Sequence, residues 1–125
     1  MGLNSGRLHD AVTTAQLLAK ADAAQEAWIT PTLLNSWEAF DASRTAQYRK
    51  ETTGVVRLKG MVKSGTIGQA IFTLPVGYRP SVSTNISTTS LNLFGAINIG
   101  IDGLVTPAVG NNAWVSLSSI TFTPD

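Results

Sequence analysis

From Val56 onward the chain alternates. Val56, Leu58, Gly60 and Val62 fall on one side, and Arg57, Lys59, Met61 and Lys63 on the other. A period of two with one mostly basic side predicts a half-buried β-strand. The next five residues, 64–68, hold two glycines, Gly65 and Gly68, which suit a hairpin turn. Residues 69–74 then predict the return strand, with Ala70, Phe72 and Leu74 on one side. Pro75 donates no hydrogen bond and ends that ladder or marks its edge. Gly77 admits a turn conformation, and Pro80 biases Arg79 towards an extended one. Residues 74–80 therefore form a stiff corner carrying Tyr78 and Arg79. That pair has two readings: a packed and locally paired corner, or the lining of a sugar or polymer site.

Upstream, the period changes. Asp10 offers an N-cap for a helix running to about Ala27, in a stretch dominated by good helix formers. Two stripes follow helical spacing: Leu8, Ala11, Ala15 and Leu18 on one face, and Leu17, Ala21, Ala24 and Trp28 on another. Such a helix is marginal alone and needs a partner surface. Copies of itself, its own β domain and another protein would each supply one. Pro31 breaks the helix by constraining Thr30. The expected division is a helical assembly or attachment segment over 1–30 and a β domain over 31–125. Residues 32–37 predict a first strand with a turn at Asn35 and Ser36, and residues 46–50 a strand carrying Tyr48. Residues 51–54 make a turn, so the strands flanking it form a hairpin.

After Pro80, residues 81–90 alternate, with Val82, Thr84, Ile86 and Thr88 on one face, which fits either a long strand or an ordered loop. Residues 91–94 and 96–101 follow, with Ile97, Ile99 and Ile101 sharing a face. Asp102-Gly103 is the strongest hairpin signal. Pro107 limits the strand that returns from it, and residues 109–112 turn again. Residues 114–122 alternate as a last strand. Short strands at roughly ten-residue spacing predict a sandwich or barrel. The expected fold is mainly β: an N-terminal α-helix, then an antiparallel β-sandwich of jelly-roll-like form.

Length and composition narrow the function. A chain of 125 residues is about one small domain. A net charge of +1 gives no electrostatic case for nucleic acid. Cysteine is absent, so no disulfide or thiolate site is expected. No apolar run reaches membrane-spanning length, and membrane insertion is not expected. His9 is the only histidine and has only Asp10 beside it, so no metal or cofactor is expected. Glu38 and Asp41 flank Phe40, but nothing places them across a cleft. No Gly-x-Ser-x-Gly elbow and no phosphate-binding glycine loop occurs. An enzyme is not expected.

Trp37-Glu38-Ala39-Phe40, the run over 47–66, the corner over 71–81 and the late Ile101-Asp102-Gly103-Leu104-Val105 together resemble a module common in minor tail proteins, tail fibres and head fibres of bacteriophages. The shared pattern is a Tyr-Arg-Lys strand, a Gly-Val-Val-x-Leu-x-Gly strand and a Leu-Pro-x-Gly-Tyr-Arg-Pro corner. It spans roughly Trp37 to Phe122. One departure is Glu38-Ala39, where a glycine is common. The resemblance implies a non-enzymatic, homotrimeric virion appendage that attaches to the host surface, with saccharide as the ligand. Candidate ligand residues are Tyr48, Tyr78 and Trp114, with Arg79, Asn111 and Asn112 as polar partners. The N-terminal stripes would then meet copies of the chain or other virion proteins. The alternatives are a structural or decorating virion protein whose helix docks on the particle, and a carbohydrate-processing module.

Overall fold

The computed structural model of the chain describes residues 25–124. They form a mainly β, antiparallel, sandwich-like fold with three sheets. The first sheet joins β10 (Thr121–Phe122), β3 (Val56–Lys59) and β2 (Gln47–Lys50). The second joins β1 (Glu38–Ala39), β4 (Met61–Lys63) and β9 (Val115–Ser116). The third has four strands in the order β5 (Phe72–Thr73), β8 (Leu104–Val109), β7 (Leu93–Ile99), β6 (Thr84–Ser90). Hairpins link β6, β7 and β8 in sequence, while β5 lies beside β8, which is a Greek-key order.

The alternating run is one strand bent at Gly60. It pairs with β2 and β10 before the bend and with β1 and β9 after it. Gly60 has φ of +103°, and a Cβ there would lie 2.4 Å from the Thr45 carbonyl oxygen. Only a residue without a side chain allows both the bend and that close approach. Val56, Leu58 and Val62 are fully buried, as the alternation predicts. They meet Ile71, Phe72, Leu74, Ile97, Ile99 and Val105 from the four-stranded side, so the core lies between the bent strand and that sheet.

Several expected elements take another form. Residues 64–68 do not close a hairpin between the alternating run and β5, because β5 pairs with β8 instead. Gly65 lies under the Trp37 indole, where a Cβ would come within 2.1 Å of the ring. That packing directs the chain across to the other layer. The expected strand over 32–37 is absent; Asn35 and Ser36 form the turn, both at positive φ, and strand begins only at Glu38. Leu91 and Asn92 are the two-residue turn between β6 and β7, with φ of 49° and 62°. Pro107 does not stop β8, which runs on to Val109. It sits opposite Ile97 beside a register irregularity where β8 carries one extra residue, and its missing N–H is tolerated there. The last strand is broken by a turn at Ser118 and Ser119, so Val115, Leu117 and Ile120 are all buried despite their spacing.

The two helical stripes, Leu8, Ala11, Ala15 and Leu18, and Leu17, Ala21 and Ala24, lie outside the described residues. Gln25 to Ala27, expected as the helix end, are not helical. Ile29 exchanges backbone hydrogen bonds with Tyr48, at 2.8 and 3.0 Å. Residues before the expected boundary at Pro31 therefore already pack on the β domain, because β2 offers them a free edge.

Gly60→Ala is expected to cost about 2–4 kcal/mol, from backbone strain and the clash with Thr45. Gly54→Ala, at φ of +92° with open space around it, should cost only about 1–2 kcal/mol. Urea unfolding of the two variants measures the difference.

Candidate functional site

The corner over 74–80 is held by its own side chains. Arg79 donates from Nε to the Leu74 carbonyl at 2.8 Å, and Leu74 N–H bonds the Gly103 carbonyl at 2.8 Å. Arg79 also packs where a side chain on Gly103 would sit. The corner is thus braced to the turn between β7 and β8. The Tyr78 hydroxyl donates to the Glu26 carboxylate, lying 2.7 Å from both oxygens. Lys50 Nζ lies 5.0 Å from the Tyr78 ring centre. Glu26 accepts in turn from the Lys50 backbone N–H at 3.2 Å. The corner, the segment before Pro31 and β2 are therefore one unit.

Tyr48 presents little surface, though it borders with Arg79 a hollow beside the corner. It is 6% exposed, stacks on Phe72 at 5.9 Å and receives the edge of Tyr78 at 5.4 Å. Its place on the inward side of β2 makes it a core residue. Burial pushes its phenol pKa up, and the Glu26 charge adds to this. The hydrogen bond to Glu26 pushes the Tyr78 phenol up to about 12, with burial and the Glu26 charge contributing.

The second candidate set sits elsewhere. Asn112 donates from Nδ2 to the Gly65 carbonyl at 2.8 Å. Asn111 Oδ1 accepts from the Ala113 N–H at 2.8 Å, and the Asn111 N–H bonds Ser90 Oγ at 2.8 Å. Ser90 Oγ donates to the Trp114 carbonyl at 2.8 Å. The Asn111 side chain therefore shapes its own turn, and the Asn112 side chain ties that turn to the loop at Gly65. Trp114 is half-buried and directly precedes β9. Arg79 lies beside Gly103 at the start of β8, and Asn111 follows its end. Eight residues of extended chain separate them by roughly 25 Å. The structure does not bring the six candidates into one site.

Trp28, read as part of a helical stripe, lies on this chain's own β domain. The Arg49 guanidinium is 4.4 Å and the Lys59 ammonium 4.5 Å from its ring centre. Cation–π contact holds it there.

A different surface stands out. The outer face of the four-stranded sheet carries cross-strand rows of Val109, Ala96 and Ser87, of Thr106, Asn98 and Asn85, of Leu104 and Thr73, and of Phe94 and Thr89. None is charged. Phe94 is 66% exposed, and Leu104 and Val109 are exposed as well. Between residues 64 and 124 the only charged side chains are Arg79 and Asp102. Counting charges along the sequence would have found this face; strand alternation does not, because Ser, Thr and Asn occupy most outward positions. Among the described residues, no three His, Asp or Glu side chains converge as a metal site.

No family model, no curated protein and no solved structure matches this chain.

The stability of the fold should be level from neutral pH to about pH 10, where an unperturbed tyrosine begins to ionise. It should then fall as pH rises towards about 12, because the folded state holds the Tyr78 proton more tightly than the unfolded state does. Tyr78→Phe should reduce that fall, read from urea unfolding midpoints at several alkaline pH values.

Proposed function

We propose that this chain is a non-enzymatic module of a phage virion appendage, a tail or head fibre, that assembles as a homotrimer and attaches to the host surface through saccharides. In this reading the domain is a jelly-roll-like sandwich, and the N-terminal stripes are a helical segment that meets copies of the chain or other virion proteins. The resemblance over Trp37 to Phe122 supports the class. The observation that carries the assembly is the uncharged outer face of the four-stranded sheet. An open, partly apolar face with one uncharged edge strand, β6, is an association surface unless something covers it. Copies of this face turned towards one threefold axis are a fitting cover, since none of them leaves a charge buried without a partner. Closed symmetry hides the face and the β6 edge together. Many copies on a particle turn weak contacts with a host glycan into firm attachment.

Light scattering on the whole chain should give three times the 13.2 kDa chain mass. Phe94→Lys with Leu104→Lys, both at exposed positions, should give the single-chain mass with the β fold retained in circular dichroism and an unfolding midpoint below that of the trimer. Labelled trimer should bind susceptible host cells, and the monomeric variant should bind at least about tenfold more weakly. A trimer that binds no host cells would favour the decorating role. A wild-type monomer would contradict the assembly.

A further inference from the structure

The bend at Gly60 does more than join two sheets. The loop over 42–45 closes over the missing side chain, and a hollow of about 400 Å³ opens on the basic side of the strand. Its walls include Ser43, Arg44, Gln47, Lys59, Met61 and Ser118. That volume lies within the range of small-ligand sites.

The walls hold two cations and no carboxylate. Lys59 is held on the Trp28 ring and makes no ion pair with a carboxylate among the described residues. Its charge is therefore not neutralised by a carboxylate, and its side chain borders the hollow. Arg44 pairs with Asp41, which stands outside the lining. Asp41 is oriented by the Ser43 hydroxyl at 2.8 Å and the Ser43 N–H at 3.0 Å. The Ser43 hydroxyl bond and the Arg44 charge hold its carboxyl below the usual carboxylate range, against a smaller opposing effect of burial. Asp41 thus stays charged and offsets one of the two cations. One net positive charge remains for a ligand.

The rest of the wall suits hydroxyl groups. Gln47 gives its amide N–H to Thr30 Oγ1 at 2.8 Å, which fixes its orientation and leaves its carbonyl oxygen as an acceptor. Ser118 adds a hydroxyl from the turn after β9, and Met61 adds an apolar patch. One net charge, several hydroxyl-matching groups and an apolar patch describe a sugar carrying a single carboxylate.

We propose that the hollow at Gly60 binds a carboxylate-bearing sugar unit, its anion on Lys59 and Arg44 and its hydroxyls on Gln47 and Ser118. The proposal rests on the attachment reading above and names the class of saccharide. It also moves the site away from the six residues that the sequence singles out.

The test is titration of the ¹⁵N-labelled full chain with sodium glucuronate, glucose and inorganic phosphate, followed by amide shifts. Glucuronate should give saturable shifts at residues 43–45, 59–61 and 118, and glucose at equal concentration should not. Lys59→Gln should weaken glucuronate at least about tenfold. Ser118→Ala, on an exposed turn, should weaken glucuronate and leave any phosphate response unchanged. Absence of saturable shifts in the hollow would overturn the proposal. So would equal binding of glucose, or phosphate binding as tightly as glucuronate, which would mark a plain anion patch. The two readings fail differently. Host-cell binding that is unaffected by Lys59→Gln, with no glucuronate response, removes the hollow and keeps attachment. A glucuronate response without host-cell binding keeps the hollow and removes attachment.

Discussion

There is no room for a side chain at residue 60. The Thr45 carbonyl occupies the place where a Cβ would stand, and the backbone holds φ of +103°. Because of this, the strand from Val56 to Lys63 can bend and still keep Val56, Leu58 and Val62 facing inward. The bend lets one strand serve two small sheets, and together they cover the Greek-key sheet. It also draws the loop over 42–45 close to the basic side of the strand, which creates the hollow. Core and hollow therefore have a common origin in one backbone contact.

The charges divide along the same line. Between residues 25 and 63, acidic and basic side chains are interleaved, and several are paired across short distances: Arg57 with Glu51, Arg49 with Glu51, Lys63 with Glu38 and Arg44 with Asp41. These pairs are partly solvated, so they add little stability. They do keep that side soluble and specific in its contacts. The four-stranded side has Asp102 in a turn and Arg79 tied into the corner, with an outer face of Ser, Thr, Asn and apolar residues. One side is built for polar contacts and the other for contact with an uncharged surface. The attachment role proposed above would use both, one face to associate and one left open to ligand.

What was legible in the sequence was local. The inward set of the bent strand, the β2–β3 hairpin around 51–54 and the turn at Asp102-Gly103 each rest on residues close in the chain. The corner was legible too, and its packed reading accounts for the Arg79 and Tyr78 bonds. Pairings between distant segments were not. Alternation shows that residues 72–73 can be a strand but not that β8, some thirty residues on, is the partner. Leu91-Asn92 lacks the glycine that marks such turns, and Asn92 alone gave little signal. Tyr48 and Trp114 look alike as aromatics near polar residues; only the register of β2 shows that Tyr48 is in the core, while Trp114 is half-buried. Trp28 fits a helical stripe by spacing, yet two cations and the Ile29 pairing hold it on β2. The hollow depends on a loop and a turn more than seventy residues apart, Ser43 and Ser118, which no spacing rule connects.

The most direct measurement is amide hydrogen exchange at high and at low protein concentration. Association through the uncharged face predicts that amides of Thr84–Ser90 and of Leu93–Ile99 become more protected at high concentration, while those of Gln47–Lys50 do not change. Equal protection at both concentrations in a chain that scatters as a monomer, or added protection confined to β2 and β3, would contradict the account.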